Sequence, residues 1–307
     1  LISFARDLRY IASFDNVKVS VIVPGVIETN MARKTDIPSN IFYGAGDSNG
    51  LAKIVRNQLN SDTFLTLGLL GRNEARLNQV AEHCKEKGAN CVLLKVDISN
   101  IEELKKSLEN FDDSHPIELL FSNAAQAGST RDNIDTVPWE DGWQRLIDVN
   151  YTGNIATIMT VYKRMKGRRF GQIAVTSSIA GFFSIPGLCY YNATKSALIS
   201  FARDLHLRYI ASFDNVKVSV IAPGIIKTNM TRNSDLSSNK FYGPGDPNGL
   251  AKIVRNQLNS DTFCIGWPFR QYLLSWLISS IPVRTNLTLS RIFGESSRKK
   301  TKLVASS

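Results

Sequence analysis

Tyr191 and Lys195 stand four residues apart in the run Tyr190-Tyr191-Asn192-Ala193-Thr194-Lys195. On a helix that spacing puts both side chains on one face. An ammonium beside a phenol favours the phenolate and lowers a pKa that starts at about 10. A tyrosine tuned in this way can give or take a proton at neutral pH. Ser178 lies thirteen residues before Tyr191, just past an apolar run, and can hydrogen-bond the same substrate oxygen. Alone, a YxxxK spacing is usually chance on an amphipathic helix, so its surroundings decide its meaning.

The elements that must hold these residues alternate between strand and helix. Short apolar runs at Leu65–Leu70, Cys91–Val96, Ile117–Phe121, Gln172–Thr176 and Val216–Ile221 read as strands. Between them, Glu74–Lys87, Ile101–Phe111, Trp143–Met165 and Tyr190–Ser212 carry helical spacing. Strands that are apolar throughout predict a parallel sheet with helices on both faces. Ligands on such sheets bind at the carboxyl ends of the strands. Ser122-Asn123-Ala124-Ala125, Ser177-Ser178 and Pro223-Gly224 each follow an apolar run, where loops carry chemistry without weakening the core.

Asn123-Ala124-Ala125, Asp148-Val149-Asn150, the Ser178–Tyr191–Lys195 set and Pro223-Gly224-Ile225-Ile226-Lys227-Thr228 follow one another in characteristic order and spacing. Here the chain resembles the short-chain dehydrogenase/reductase family, closely over 65–263 and onward to about residue 294. The resemblance implies an α/β fold: a single-domain, three-layer αβα, Rossmann-like, doubly wound parallel sheet. It also implies an oxidoreductase that interconverts a ketone or aldehyde with an alcohol by hydride transfer. In that scheme Tyr191 protonates the carbonyl oxygen, or acts as the base in the reverse direction. Lys195 lowers the Tyr191 pKa and hydrogen-bonds the nicotinamide ribose, and Ser178 holds the substrate carbonyl. Asn150 positions a water linking Lys195 to solvent. The loop at Asn123 and Ala124 lines the adenosine side of the cofactor cleft, and Pro223, Gly224 and Thr228 approach the nicotinamide carboxamide. The thirteen-residue spacing favours Ser178 over Ser177, and the YxxxK spacing favours Tyr191 over Tyr190. The family also implies a homodimer packed through the two long helices.

In this fold the residue ending the second strand meets the adenosine ribose. A carboxylate there repels a 2′-phosphate, whereas an arginine accepts it. Leu70 is followed by Gly71-Arg72-Asn73, with Arg76 one turn on and no acidic residue before Glu74. Arg72 therefore favours NADP(H) over NAD(H); its alternative reading is a solvated loop charge. Asp97 resembles the family's adenine-contacting aspartate, or caps the helix starting near Ile101.

Composition agrees with this class: 307 residues, 43% hydrophobic, 21% charged. The net charge of +10 comes from scattered residues, and only Arg298, Lys299, Lys300 and Lys302 form a run. No aromatic-basic motif points to nucleic acid, and a phosphorylated cofactor accounts better for a basic chain. Cys84, Cys91, Cys189 and Cys264 have no zinc or disulfide spacing and read as reduced thiols of a cytoplasmic protein. His83, His115 and His206 share no ligand spacing and read as surface or helix residues, so no metal is expected. Leu1 opens inside a helical pattern without a secretory signal.

Residues 1–64 repeat 198–263, with 53 of 64 positions identical and His206 and Leu207 absent from the first copy. The family begins with a strand, a TGxxxGxG turn and a helix that hold the pyrophosphate. The chain has no such glycine-rich turn, and 1–64 stands in its place. One reading leaves a hole in the sheet, with unpaired backbone groups and an inactive relative or fusion product acting, if at all, as a binding protein. In another, the strand Val17–Val23 fills the vacant slot and Gly50–Leu59 supplies the helix. Pro24-Gly25-Val26-Ile27-Glu28-Thr29 then stands at the turn, where Glu28 opposes a pyrophosphate. A third is a mis-joined gene model, which the mid-helix start fits. The Leu1–Ser13 helix lacks the YxxxK start and could compete for the dimer surface.

The remaining segment, 264–307, holds the apolar helix Phe269–Ile281 between Pro268 and Pro282, then the basic run. It reads as a substrate lid or dimer contact, with a membrane-surface helix as the alternative. At about half the length of a bilayer span, it is too short to cross. The sequons at Asn192 and Asn286 read as chance.

Overall fold

Seven short strands, each paired in parallel with its neighbours, form the centre of the computed structural model, in the order β3-β2-β1-β4-β5-β6-β7. The structure describes residues 20–24, 66–86, 89–126, 143–184, 188–226, 245–258 and 260–280. Within them run β1 (Ser20–Pro24), β2 (Thr66–Gly71), α1 (Glu74–Lys85), β3 (Asn90–Lys95), α2 (Ile101–Ser114) and β4 (Leu119–Ser122). Then come α3 (Gln144–Ile147), α4 (Asn154–Arg168), β5 (Gly171–Thr176), α5 (Cys189–Ile210), β6 (Val216–Pro223), α6 (Pro247–Leu258), β7 (Cys264–Trp267) and α7 (Phe269–Ser279).

The strands are apolar on both faces because helices cover both. Alternation along β4 shows how: Leu120 faces the layer of α2, α4 and α5, with Leu104, Ile158 and Leu198. Leu119 and Phe121 face the layer of α1 and α6, with Leu77, Ala81, Val254 and Leu258. Each such side chain contributes about 1.5–3 kcal/mol by leaving water. Side-chain caps mark the helix starts: Asn73 accepts from the Arg76 N–H at 3.1 Å, and Asn100 from the Glu103 N–H at 3.4 Å. Asn100, and not Asp97, therefore caps α2.

β1 lies between β2 and β4 and pairs with both: Ser20–Pro24 runs alongside Thr66–Leu70, and Val21 and Ile22 alongside Leu119 and Leu120. It is the first-copy counterpart of Ser219–Pro223, the end of β6, differing only in Val23 for Ala222, so nearly the same strand sequence serves the sheet twice. The expected Leu1–Ser13 and Gly50–Leu59 helices, and the turn residues 25–29, lie outside the described residues. At the other edge β7, absent from the sequence reading, pairs with β6. The sheet thus runs past residue 263.

Several basic residues serve buried carboxylates. Arg164 and Arg168 both bond Asp112, which also accepts from the Ile117 N–H. Tyr162, Lys166 and Arg208 converge on Asp214. His206 is a buried helix residue rather than a surface one, with Nδ1 2.8 Å from the Val218 carbonyl oxygen. The four cysteines are free thiols.

Candidate active site

The carboxyl ends of the strands bring the expected residues together. Tyr191 and Lys195 lie on the face of α5 that continues through Leu198, Ile199, Ala202 and Leu205 onto the sheet. Lys195 is 1% exposed. Its Nζ donates to the carbonyl oxygen of Thr176, the last residue of β5, at 3.1 Å and lies 5.7 Å from the centre of the Tyr191 ring. Burial lowers the Lys195 pKa to about 8, so the ammonium persists at neutral pH.

The two serines after β5 have separate tasks. Ser177 donates from Oγ to the Lys195 carbonyl oxygen at 2.8 Å, and from its N–H to Ile221 at 2.7 Å, fixing α5 against β5 and β6. Ser178 caps a short 3-10 turn, Ile179–Gly181, by accepting from the Ala180 N–H at 3.1 Å. As a donor, its Oγ makes a long contact, 3.4 Å, to the Pro223 carbonyl oxygen. Gly181 lets that turn rest on α5, since a Cβ there would stand 2.9 Å from the Lys195 carbonyl oxygen.

Asn150 sits in a π-helical turn, Asp148–Gly153, that interrupts the single long helix expected from Trp143 to Met165. Such turns occur frequently at functional sites. Its side chain clamps the loop after β4: Oδ1 accepts from the Gln126 N–H at 2.6 Å, and Nδ2 donates to the Gln126 carbonyl at 2.7 Å. Asn154, which the sequence reading passed over, accepts from the Ser122 hydroxyl at 2.6 Å. It also donates to the carbonyls of Ala124 and Val149 at 2.9 Å and of Asn150 at 3.1 Å. The signal was the i, i+4 spacing of Asn150 and Asn154.

At the β2–β3 edge, Arg72 Nη1 lies 3.2 Å from Asp97 Oδ2, and Arg145 Nη2 lies 2.6 Å from the same oxygen. Oδ1 accepts from the Ser99 N–H at 3.0 Å and from its hydroxyl at 2.7 Å. Burial alone would raise the Asp97 carboxyl; bonds from Arg145 and Ser99 outweigh it and hold the pKa at about 2. Arg72 is therefore ion-paired rather than a solvated loop charge. Arg145, unanticipated from sequence, joins it.

After β6, the Gly224 N–H donates to the Trp267 carbonyl at 2.7 Å, and the Ile225 N–H to Gln271 Oε1 at 2.8 Å. A Cβ at Gly224 would stand 2.1 Å from that same oxygen, which explains the glycine. Gln271, on α7, was a further residue the sequence reading missed. Thr228 lies outside the described residues.

The site can be tested for fit to a nicotinamide ribose. Among the described residues the buried Lys195 ammonium makes one hydrogen bond, leaving N–H groups for ribose hydroxyls. The hydroxyl of Thr176, whose carbonyl oxygen takes that bond, is buried without a hydrogen-bond partner. These residues fit the nicotinamide end. The residues following Pro24, at the pyrophosphate end, lie outside the described residues. No cluster of metal-ligating side chains occurs among the described residues.

Residues 42–239 match the family model of the short chain dehydrogenases. A 3-oxoacyl-(acyl-carrier-protein) reductase of Chlamydia pneumoniae is 34% identical over 162 residues, 52% of this chain and 63% of the relative. The chain thus spans under two thirds of that protein's length. Levodione reductase superposes with a TM-score of 0.66 at 17% identity, covering 83% of this chain and 98% of the other. An NAD-bound 3-oxoacyl-(acyl-carrier-protein) reductase from Brucella melitensis gives 0.61 at 22% identity, covering 83% and 91%. At those identities the likeness is one of fold.

Proposed function

The chain belongs to the short-chain dehydrogenase family, and we propose that it is an NADP(H)-dependent oxidoreductase interconverting an apolar ketone or aldehyde with its alcohol. The observation that carries this reading is the buried Lys195 ammonium, 5.7 Å from the Tyr191 ring. A lysine is buried at a desolvation cost, and a neighbouring proton-transfer group gives that cost a purpose.

When bound, a nicotinamide cofactor supplies or takes the hydride. Ser178 holds and polarises the substrate oxygen with the hydroxyl whose proton makes the long Pro223 contact. Tyr191 delivers the proton to that oxygen in reduction and removes it in oxidation. Lys195 favours the ionised phenol by its charge and binds ribose hydroxyls with its remaining N–H groups. Asn150 holds the β4 loop and, in this reading, a water between Lys195 and solvent. Asn123, Ala124, Pro223, Gly224 and Thr228 line the cofactor cleft.

Preference for NADP(H) is supported by two guanidinium groups on one carboxylate. Arg72 and Arg145 exceed Asp97 by one positive charge, which suits a 2′-phosphate. We extend the proposal to a cytoplasmic homodimer formed through α4 and α5, with residues 1–64 replacing the family's first unit around β1. The test is Tyr191→Phe, assayed with NADPH on a panel of ketones and aldehydes. Loss of turnover with cofactor affinity retained supports the scheme; unchanged turnover contradicts it.

A second reading is favoured by one observation: Pro24 ends β1, and Gly25-Val26-Ile27-Glu28 follow where the family places its glycine-rich turn. A carboxylate at Glu28 would oppose a pyrophosphate. In that reading the chain is a catalytically impaired relative or a fusion product, acting as a binding protein if at all. Absence of cofactor binding by folded protein would distinguish it.

A further inference from the structure

Helix α7 turns its apolar side outward. Its buried residues are Gln271, Ser275 and Ile278, whereas Phe269, Leu273, Trp276 and Leu277 are 41–58% exposed. Those four recur at i, i+4, i+7 and i+8, which makes one continuous stripe. The inward polar face has structural work: Gln271 accepts from the Ile225 N–H, and the Ser275 hydroxyl donates to the Tyr272 carbonyl at 2.7 Å. Tyr272 packs edge-on against Phe182, 5.6 Å between centroids, beside the turn that follows Ser178. The helix is thus held by its polar side at the substrate end of the site, and its apolar side is left to something else.

We propose that this stripe docks on an anionic membrane surface. Charge complementarity identifies the occupant. Residues 281–307 contain Arg284, Arg291, Arg298, Lys299, Lys300 and Lys302 against the single acid Glu295, a net +5 within a chain of +10. A Phe-Leu-Trp-Leu stripe followed directly by cationic sequence is the composition that enters the headgroup boundary while meeting lipid phosphates. A second copy seated on α7 would bring a second net +5 segment of sequence, 281–307, to the same stripe, like charge against like. The eleven residues of α7 span about 16 Å at the helical rise. Among the described residues no helix is long and apolar enough to cross a membrane, so α7 lies along the surface. Docking is a property of α7 and the basic sequence after it, and it stands whether or not the chain turns over substrate.

The test is flotation of the full chain with vesicles of phosphatidylcholine alone and of phosphatidylcholine with phosphatidylserine at about 7:3. The chain is expected to float with the anionic vesicles, not the neutral ones, and to be released as salt rises. Leu273→Asp with Trp276→Asp is expected to lower the bound fraction by about tenfold or more while the melting temperature and NADPH affinity stay unchanged. Should that variant not fold, Arg298, Lys299, Lys300 and Lys302 changed to Gln give the second measure, again with about a tenfold loss expected. Absence of flotation overturns the proposal, as does undiminished flotation of either variant. A dimer that the Asp variant dissociates, with no vesicle binding, would assign the stripe to a second copy and overturn it too.

Discussion

The buried ammonium of Lys195 is anchored at the carbonyl of Thr176, 3.1 Å away, and stands 5.7 Å from the centre of the Tyr191 ring. The β5 terminus thereby fixes a cation against the phenol that the proposed chemistry needs. Tyr191→Phe should lower kcat by about 10²–10⁴, the usual range for a lost general acid. Lys195→Met should lower kcat similarly without lowering the melting temperature, because an apolar chain of similar length suits the buried site better than an ammonium. Steady-state kinetics and thermal melts of both variants check this.

The pH dependence of Lys195 has a definite sign. Burial lowers its pKa from 10.5 to about 8 in the folded chain. Below 8 both states are protonated and the burial cost is felt in full. Between about 8 and 10.5 the unfolded state holds the proton more firmly, so unfolding free energy contributed by this residue rises with pH. The rise is on the order of 3 kcal/mol at most. Denaturation of wild type minus Lys195→Met across that window should show it. Carbonyl reduction should fall above about pH 8 as the charge is lost.

Cofactor preference should turn on Arg72. Arg72→Glu is expected to weaken NADPH binding by about tenfold or more and NADH binding little, since a carboxylate repels the 2′-phosphate and accepts the ribose hydroxyl. Arg145→Ala should weaken both cofactors by releasing Asp97 and Ser99. Parallel titrations separate the two effects.

What the sequence disclosed was what depends on local pattern. The apolar runs that became β2, β3, β5 and β6, and the i, i+4 pair of Tyr191 and Lys195, were legible because strand and helix periodicity is local. The π turn around Asn150 was not, because it exists through tertiary bonds from Asn150 to Gln126 and from Asn154 to Ser122 and Ala124. Arg145 meets Asp97 across 48 residues of chain, which no spacing rule reports. Gln271 lies in a helix read as rich in Leu, Ile and aromatics, and only the fold shows that its amide faces inward. The short strand Cys264–Trp267 carries too few residues for a period.

The sheet should depend on β1. Its backbone pairs with β2 on one side and β4 on the other. Ile22→Pro should therefore cost about 3 kcal/mol or more by deleting a ladder bond in the sheet centre. A chain lacking residues 1–64 should show no cooperative melt. Circular dichroism melts of both check this.

Asn154→Ala should destabilise by about 2–4 kcal/mol, since it leaves the Ser122 hydroxyl and three carbonyls without their partner. Urea denaturation measures it. Loosening of the π turn should also lower kcat through Asn150.

The most direct test of the central claim is titration of the purified full chain with NADPH, followed by quenching of protein fluorescence. Saturable binding in the micromolar range, weaker for NADH, is the predicted result. No binding up to millimolar NADPH, from protein that melts cooperatively, would contradict it: the proton-transfer residues would be present without the cofactor site they need.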